Sequence, residues 1–110
     1  MATAALVSIS QAWDPNLRLA GISALTKIHG RHHGTAAPRV VVAAVLDMLS
    51  HDSSAVRAAA SRAAGTLQVA QAKEKLEDIV LNDFDVVSRD AAEHALRCIK
   101  GVWSGPLVAL

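Results

Sequence analysis

The segment Asp52-Ser-Ser-Ala-Val-Arg-Ala-Ala-Ala-Ser-Arg-Ala-Ala-Gly-Thr-Leu67 combines a helix start, an apolar stripe and an arginine, and the same pattern occurs three times in the chain. Asp52, Ser53 and Ser54 offer oxygens to the unpaired N–H groups of a first helical turn, and the apolar spacing that follows predicts a helix to about Gln68. Placing Arg18, Arg57 and Arg89 in register superposes Ala20 on Ala59 and Ala91, Ala24 on Ala63 and Ala95, Leu25 on Ala64 and Leu96, and Ile28 on Leu67 and Ile99. These positions share one helical stripe, with alanine where two backbones must approach most closely. Each copy follows an acidic turn, at Asp14, at Asp52, or at Asp83 and Asp85. Helical units recurring at spacings of 39 and 32 residues are the signature of a stacked helical array.

The flanking segments fit the same frame. Asp14-Pro15 is a helix start, with a capping carboxylate and a proline at the first helical position, and Gly30 is placed to end that helix. Pro38 opens another helix, reaching about Ser50. Ala70 to Leu81 forms a further one, and a turn with Asn82, Asp83 and Asp85 starts a helix that continues to about Lys100 before Gly101, Gly105 and Pro106 break it. Ala4 to Ala12 is expected to be helical as well, giving about six helices. No segment alternates with period two, so the chain reads as all-α.

Composition narrows the class. The chain has 110 residues, 52% of them hydrophobic, with 11 basic against 10 acidic side chains. Such a chain is neither disordered nor a charged nucleic-acid arm. Alanine supplies 22 positions, while Trp13, Trp103 and Phe84 are the only aromatic residues. The longest unbroken apolar run, Val40 to Leu46, is far short of the roughly 20 residues that cross a bilayer. The first seventeen residues contain no Lys or Arg, so no secretory leader is expected and the cytoplasm is the expected location. The single cysteine, Cys98, is in phase with Ala91 and Ala95 and is expected to be an inert core residue.

The stretches Ala37-Pro-Arg-Val-Val-Val-Ala-Ala-Val-Leu-Asp-Met-Leu-Ser-His-Asp-Ser-Ser-Ala-Val-Arg-Ala-Ala-Ala and Leu76-Glu-Asp-Ile-Val-Leu-Asn-Asp-Phe-Asp-Val-Val-Ser-Arg-Asp-Ala-Ala-Glu-His-Ala-Leu resemble HEAT repeats, particularly the short phycobilin-lyase-like type. In both, an apolar helix ends in an acidic turn that leads to an arginine-bearing helix. The resemblance covers about Asp14 to Gly101. It implies a right-handed α-solenoid of antiparallel helix pairs in one domain spanning residues 1–110, with repeats at about 13–50, 52–81 and 83–103 and an apolar tail at 104–110. It also implies a structural ladder in which Arg18, Arg57 and Arg89 bridge to acidic turns of adjacent repeats, with Asp14, Asp52 and Asp85 as partners. Ser88, where the pattern has an aliphatic residue, departs from it.

Catalytic readings find little footing. His29, His32 and His33, with His51, form the only cluster with metal-ligand character, but zinc needs three or four ligands and no second cysteine or His-Glu-x-x-His pair is present. Some HEAT-repeat proteins are di-iron hydroxylases built on His-Glu dipeptides; here Glu93-His94 is reversed and occurs once. Neither a nucleophile motif nor a glycine-rich phosphate loop occurs. No cofactor and no enzymatic activity are therefore expected. Gly21 and Gly65, inside helices, point to close helix packing.

Protein binding remains the leading reading, with a non-enzymatic adaptor meeting its partner on a concave groove edged by Arg39, Asp47, Lys73, Glu74 and Glu77, as the resemblance implies. Two alternatives are an accessory part of a tetrapyrrole (phycobilin) lyase and a small nucleic-acid-binding module; the second is disfavoured by balanced charge and the lack of interleaved aromatics. The apolar carboxyl end, through Trp103, Leu107 and Leu110, is expected to support a weak homodimer, since terminal repeats need covering.

Overall fold

A computed structural model describes residues 14–29 and 38–99. The described residues form five α-helices, α1 (Pro15–His29), α2 (Arg39–Met48), α3 (Ser54–Thr66), α4 (Lys73–Asn82) and α5 (Val86–Cys98), with one 3-10 turn at Ala70–Ala72 leading into α4. No strand occurs among them. The helix expected at Ala4 to Ala12 lies outside the described residues.

Local chemistry accounts for the boundaries. Asp14 Oδ1 accepts from the Asn16 N–H at 2.9 Å at the start of α1. Asp85 Oδ2 accepts from the Ser88 N–H at 2.8 Å, an N-cap that fixes the start of α5. The start of α3 is satisfied differently: His51 Nδ1 accepts from the Ser53 N–H at 2.9 Å. α3 ends at Thr66 rather than near Gln68, because Gln68 takes a left-handed conformation with φ 57°. The Val69 N–H then reaches back to the Ala64 carbonyl at 2.9 Å and the Gln68 N–H to that of Gly65 at 3.4 Å. This is a Schellman closure, and Val69 is buried behind it.

Helices α1, α3 and α5 stack side by side, the last two most closely, while α2 packs on α3 and α4 on α5. The expected units at 13–50, 52–81 and 83–103 open on the arginine-bearing helix, and in the structure α2 also packs on the following α3 and α4 on the following α5. The turn at residues 50–53 and the turn at 83–85 thus sit within the helix pairs. One continuous core runs through all five helices, from Ile22 and Leu25 of α1 to Ala95, Leu96 and Ile99 at the far end. Of the superposed positions, Leu25, Ala64 and Leu96 are fully buried in every copy. Ile28, at the last of them, is exposed in α1 while its counterparts Leu67 and Ile99 are buried.

Ser88 shows how the departure from the repeat pattern is accommodated. Its side chain is fully buried, and Oγ lies 3.0 Å from the Ser54 carbonyl in the first turn of α3 and 2.9 Å from Asp85 Oδ2. A buried hydroxyl with two acceptors in reach ties the first turn of α5 to that of α3. Ser88→Ala is expected to cost about 1 kcal/mol, because it removes a buried hydrogen bond between the first turns of α3 and α5; a shift in the urea midpoint at unchanged slope measures it.

Candidate functional site

The two turns inside the helix pairs come together, and their meeting point is an arginine. Arg57 leaves the first turn of α3, and its guanidinium meets the carboxylate of Asp83 in two-point fashion, Nε to Oδ2 at 2.7 Å and Nη2 to Oδ1 at 3.1 Å. Nη1 donates to the carbonyls of His51 and Asp52, both at 2.9 Å. The two side chains are only 11% and 6% exposed. Planar, forked donors matched to a carboxylate make this the most directional contact in the fold. Asp83 is a hub: its Oδ1 also accepts from the Asp85 N–H at 2.9 Å, and its carbonyl accepts from Arg89 Nη1 at 2.8 Å. The Arg57 hydrogen bonds hold the Asp83 carboxyl below its ordinary range; burial opposes them, and the Asp85 N–H and the charges of Arg57 and Arg89 add to the lowering.

Asp83 thus supplies the carboxylate where Asp52 and Asp85 were expected. Asp85 is committed to capping α5, and Asp52 faces solvent, offering Arg57 its backbone oxygen alone. Arg89 is held by a carbonyl rather than by Asp85. Asp14 caps α1, and Arg18 reaches Asp47 of α2 at 3.6 Å.

Above the Arg57–Asp83 pair opens a groove of about 670 Å³ between the turn at residues 49–52 and one flank of α4. Lys75 bridges its walls, with Nζ donating to the Leu46 carbonyl at 3.1 Å and to Ser50 Oγ at 3.3 Å, so the end of α2 is closed by a side chain of α4. Glu74, Asp78 and Asn82 continue along the same flank. Phe84 stands at the lip, 85% exposed, with the Arg57 guanidinium 5.5 Å from its ring centroid. Leu81, at 55%, is exposed one turn of chain away.

Of the five residues expected to edge a groove, Glu74 alone lines this one. Arg39 and Asp47 are exposed on α2, and Lys73 is exposed and Glu77 half-buried on α4. With Ala72, Leu76 and Ile79 buried, the helical repeat of 100° per residue puts Lys73 and Glu77 on one flank of α4 and Lys75, Asp78 and Asn82 on the other. The groove is on the second flank. Sequence reasoning missed Lys75, Asp78 and Phe84; the isolated aromatic residue in an acidic turn was the available signal.

One further expectation changes. Cys98 is exposed, not core: the inward face of α5 is taken by Ala91, Ala92, Ala95 and Leu96, which leaves Cys98 on the flank beside α3 with its Sγ 3.5 Å from His94 Nε2. His51, grouped by sequence with possible metal ligands, has its Nδ1 lone pair engaged by the Ser53 N–H. No group of three or more His, Cys, Asp or Glu suited to a metal ion occurs among the described residues, and His32, His33, Trp103, Leu107 and Leu110 lie outside them.

The family profile described as HEAT repeats matches residues 3–97. The chain belongs to the HEAT-repeat family. In this HEAT-repeat chain the acidic turn before α5 meets the arginine of α3, as Asp83 and Arg57. No curated protein and no solved structure matches the chain significantly. No helix among the described residues is long and apolar enough to cross a membrane.

Proposed function

We propose that this HEAT-repeat chain is a non-enzymatic adaptor that works in the cytoplasm and binds another protein on its α2 and α4 side. HEAT repeats commonly mediate protein–protein interaction. The observation that carries the reading for this chain is the groove itself. Its walls are fixed by Lys75 and by the Arg57–Asp83 pair, while Phe84 and Leu81 are left exposed beside it. Large apolar side chains standing at the edge of a shaped, polar-rimmed depression favour a protein partner over solvent. Glu74 lines it, and Arg39 and Asp47 on α2 with Lys73 and Glu77 on the other flank of α4 offer further polar surface to a partner.

Affinity capture with the full chain, followed by gel filtration, tests the proposal. A protein partner that stays bound at stoichiometric level is expected. Recovery of the chain with nucleic acid or a visible chromophore, and without a protein, would overturn it in favour of the nucleic-acid or the tetrapyrrole reading. Charge reversal of both Lys73 and Glu77 should leave the melting temperature nearly unchanged, since substitutions at such surface positions rarely exceed about 0.5 kcal/mol. It should weaken partner binding mainly through slower association.

A further inference from the structure

We infer that the groove beside Phe84 recognises an extended, lysine- and arginine-bearing segment of the partner, with an apolar side chain of that segment resting on Phe84. The inference rests on the protein-binding reading and adds the partner's chemistry.

Charge complementarity carries it. Four carboxylates line the groove, Asp52, Glu74, Asp78 and Asp83, against two cations, Arg57 and Lys75, in a chain whose overall balance is +1. The two cations are already engaged, Arg57 by Asp83 and the turn carbonyls, Lys75 by Leu46 and Ser50. What faces an incoming ligand is therefore the set Asp52, Glu74 and Asp78, all exposed. Asp78 accepts one bond from Asn82 Nδ2 at 2.7 Å and keeps its other oxygen for a guest. The N–H groups of Ser53, Asp85 and Ser88 are taken by His51, Asp83 and Asp85. A phosphate backbone would meet the exposed carboxylates of this groove with like charge, whereas a cationic peptide meets acceptors.

The apolar component is Phe84. Phenylalanine is among the residues most often buried, and 85% exposure leaves most of this ring to solvent. Arg57 approaches its centroid to 5.5 Å and helps to hold it in place. Leu81 and Val86, 55% and 56% exposed, bracket it in sequence. An aromatic anchor surrounded by charge is the usual layout of a peptide-binding hot spot.

The test uses the full chain and fluorescence anisotropy with three labelled probes: a short peptide alternating lysine with leucine, the same peptide with glutamate for lysine, and a single-stranded DNA of similar length. The lysine peptide is expected to bind and the glutamate peptide not. Binding should weaken as salt is raised above about 0.15 M, where charges more than about 8 Å apart are screened. The double variant Glu74→Lys/Asp78→Lys should raise Kd about tenfold, and Phe84→Ser should raise it severalfold, as expected for a rim and an anchor. Equal binding of both peptides, tighter binding of the DNA, no binding of the lysine peptide, or an unchanged Kd in the double variant would each overturn the assignment. Repeating the affinity capture with the double variant separates the two levels. A protein partner retained by the variant removes the groove and leaves the adaptor reading standing, whereas a wild-type chain that captures no protein removes the adaptor reading itself.

Discussion

Arg57→Ala is expected to lower stability by about 3 kcal/mol or more, the cost of removing one partner from a buried ion pair. Three losses combine. The Asp83 carboxylate, 6% exposed, is left charged without its two guanidinium bonds, the His51 and Asp52 carbonyls lose their donor, and Phe84 loses the cation beside its ring. For a domain of this size, about 1 kcal/mol moves the melting temperature by roughly 4 °C, so a drop of about 12 °C or more should appear in a thermal melt. Arg57→Lys should recover little, because an ammonium cannot span a carboxylate and two carbonyls as the fork does. The double variant Arg57→Met/Asp83→Leu should be more stable than Arg57→Ala, since it leaves no buried charge uncompensated. Simple additivity of the two single losses would show that the pair does not act as a unit. The same pair sets an acid limit. Because the folded state holds the Asp83 carboxyl below its ordinary value, its contribution is present above that value and is lost as pH falls below about 4 and through the lowered one.

That an arginine recurs at this register was legible in the sequence, because one residue type recurred with the same alanine stripe behind it. Which carboxylate it meets was not. Asp52, Asp83 and Asp85 are all acidic and all in turns, and periodicity says nothing about where a turn residue points. Capping chemistry was the missing discriminator: Asp85 lies three residues before Ser88, the spacing of an N-cap, and is drawn to its own helix, which leaves Asp83 to face Arg57. The flank of α4 that lines the groove was not legible for a related reason. The buried set Ala72, Leu76 and Ile79 was readable from spacing, yet the charged residues on either side of that stripe are equivalent by pattern. Which flank faces α2 is decided by how the helix pairs stack, and that placed Lys75 and Asp78 in the groove instead of Lys73 and Glu77. Cys98 shows the limit of phase: an apolar residue in step with a core stripe still falls outside when alanines on the next row take the closest contact.

Gly65→Leu is expected to be nearly as damaging as the loss of Arg57, for a purely steric reason. α3 and α5 approach so closely at this point that a Cβ built on Gly65 would lie 3.0 Å from the Ala95 Cα, 3.2 Å from its Cβ and 3.5 Å from the Cys98 Cβ. The nearest atom is backbone, so no side-chain rotation relieves the contact. Even Gly65→Ala gains the helix preference of alanine, up to about 1 kcal/mol, only if α5 shifts by a few tenths of an ångström; its net effect is expected to be close to zero. Leucine adds three more carbons, and the helices must separate. Parting them pulls Gln68 Nε2 from the Cys98 carbonyl, which it now reaches at 2.7 Å while also donating to Gly65 at 3.1 Å. Overpacking of a filled interface costs about 1–3 kcal/mol, and the lost interhelical bond adds about 1 more. Urea unfolding of the alanine and leucine variants reads both terms. A leucine variant as stable as wild type would mean that the spacing of α3 and α5 is set elsewhere along the core, and the glycine would then be no more than a tolerated gap in the alanine stripe.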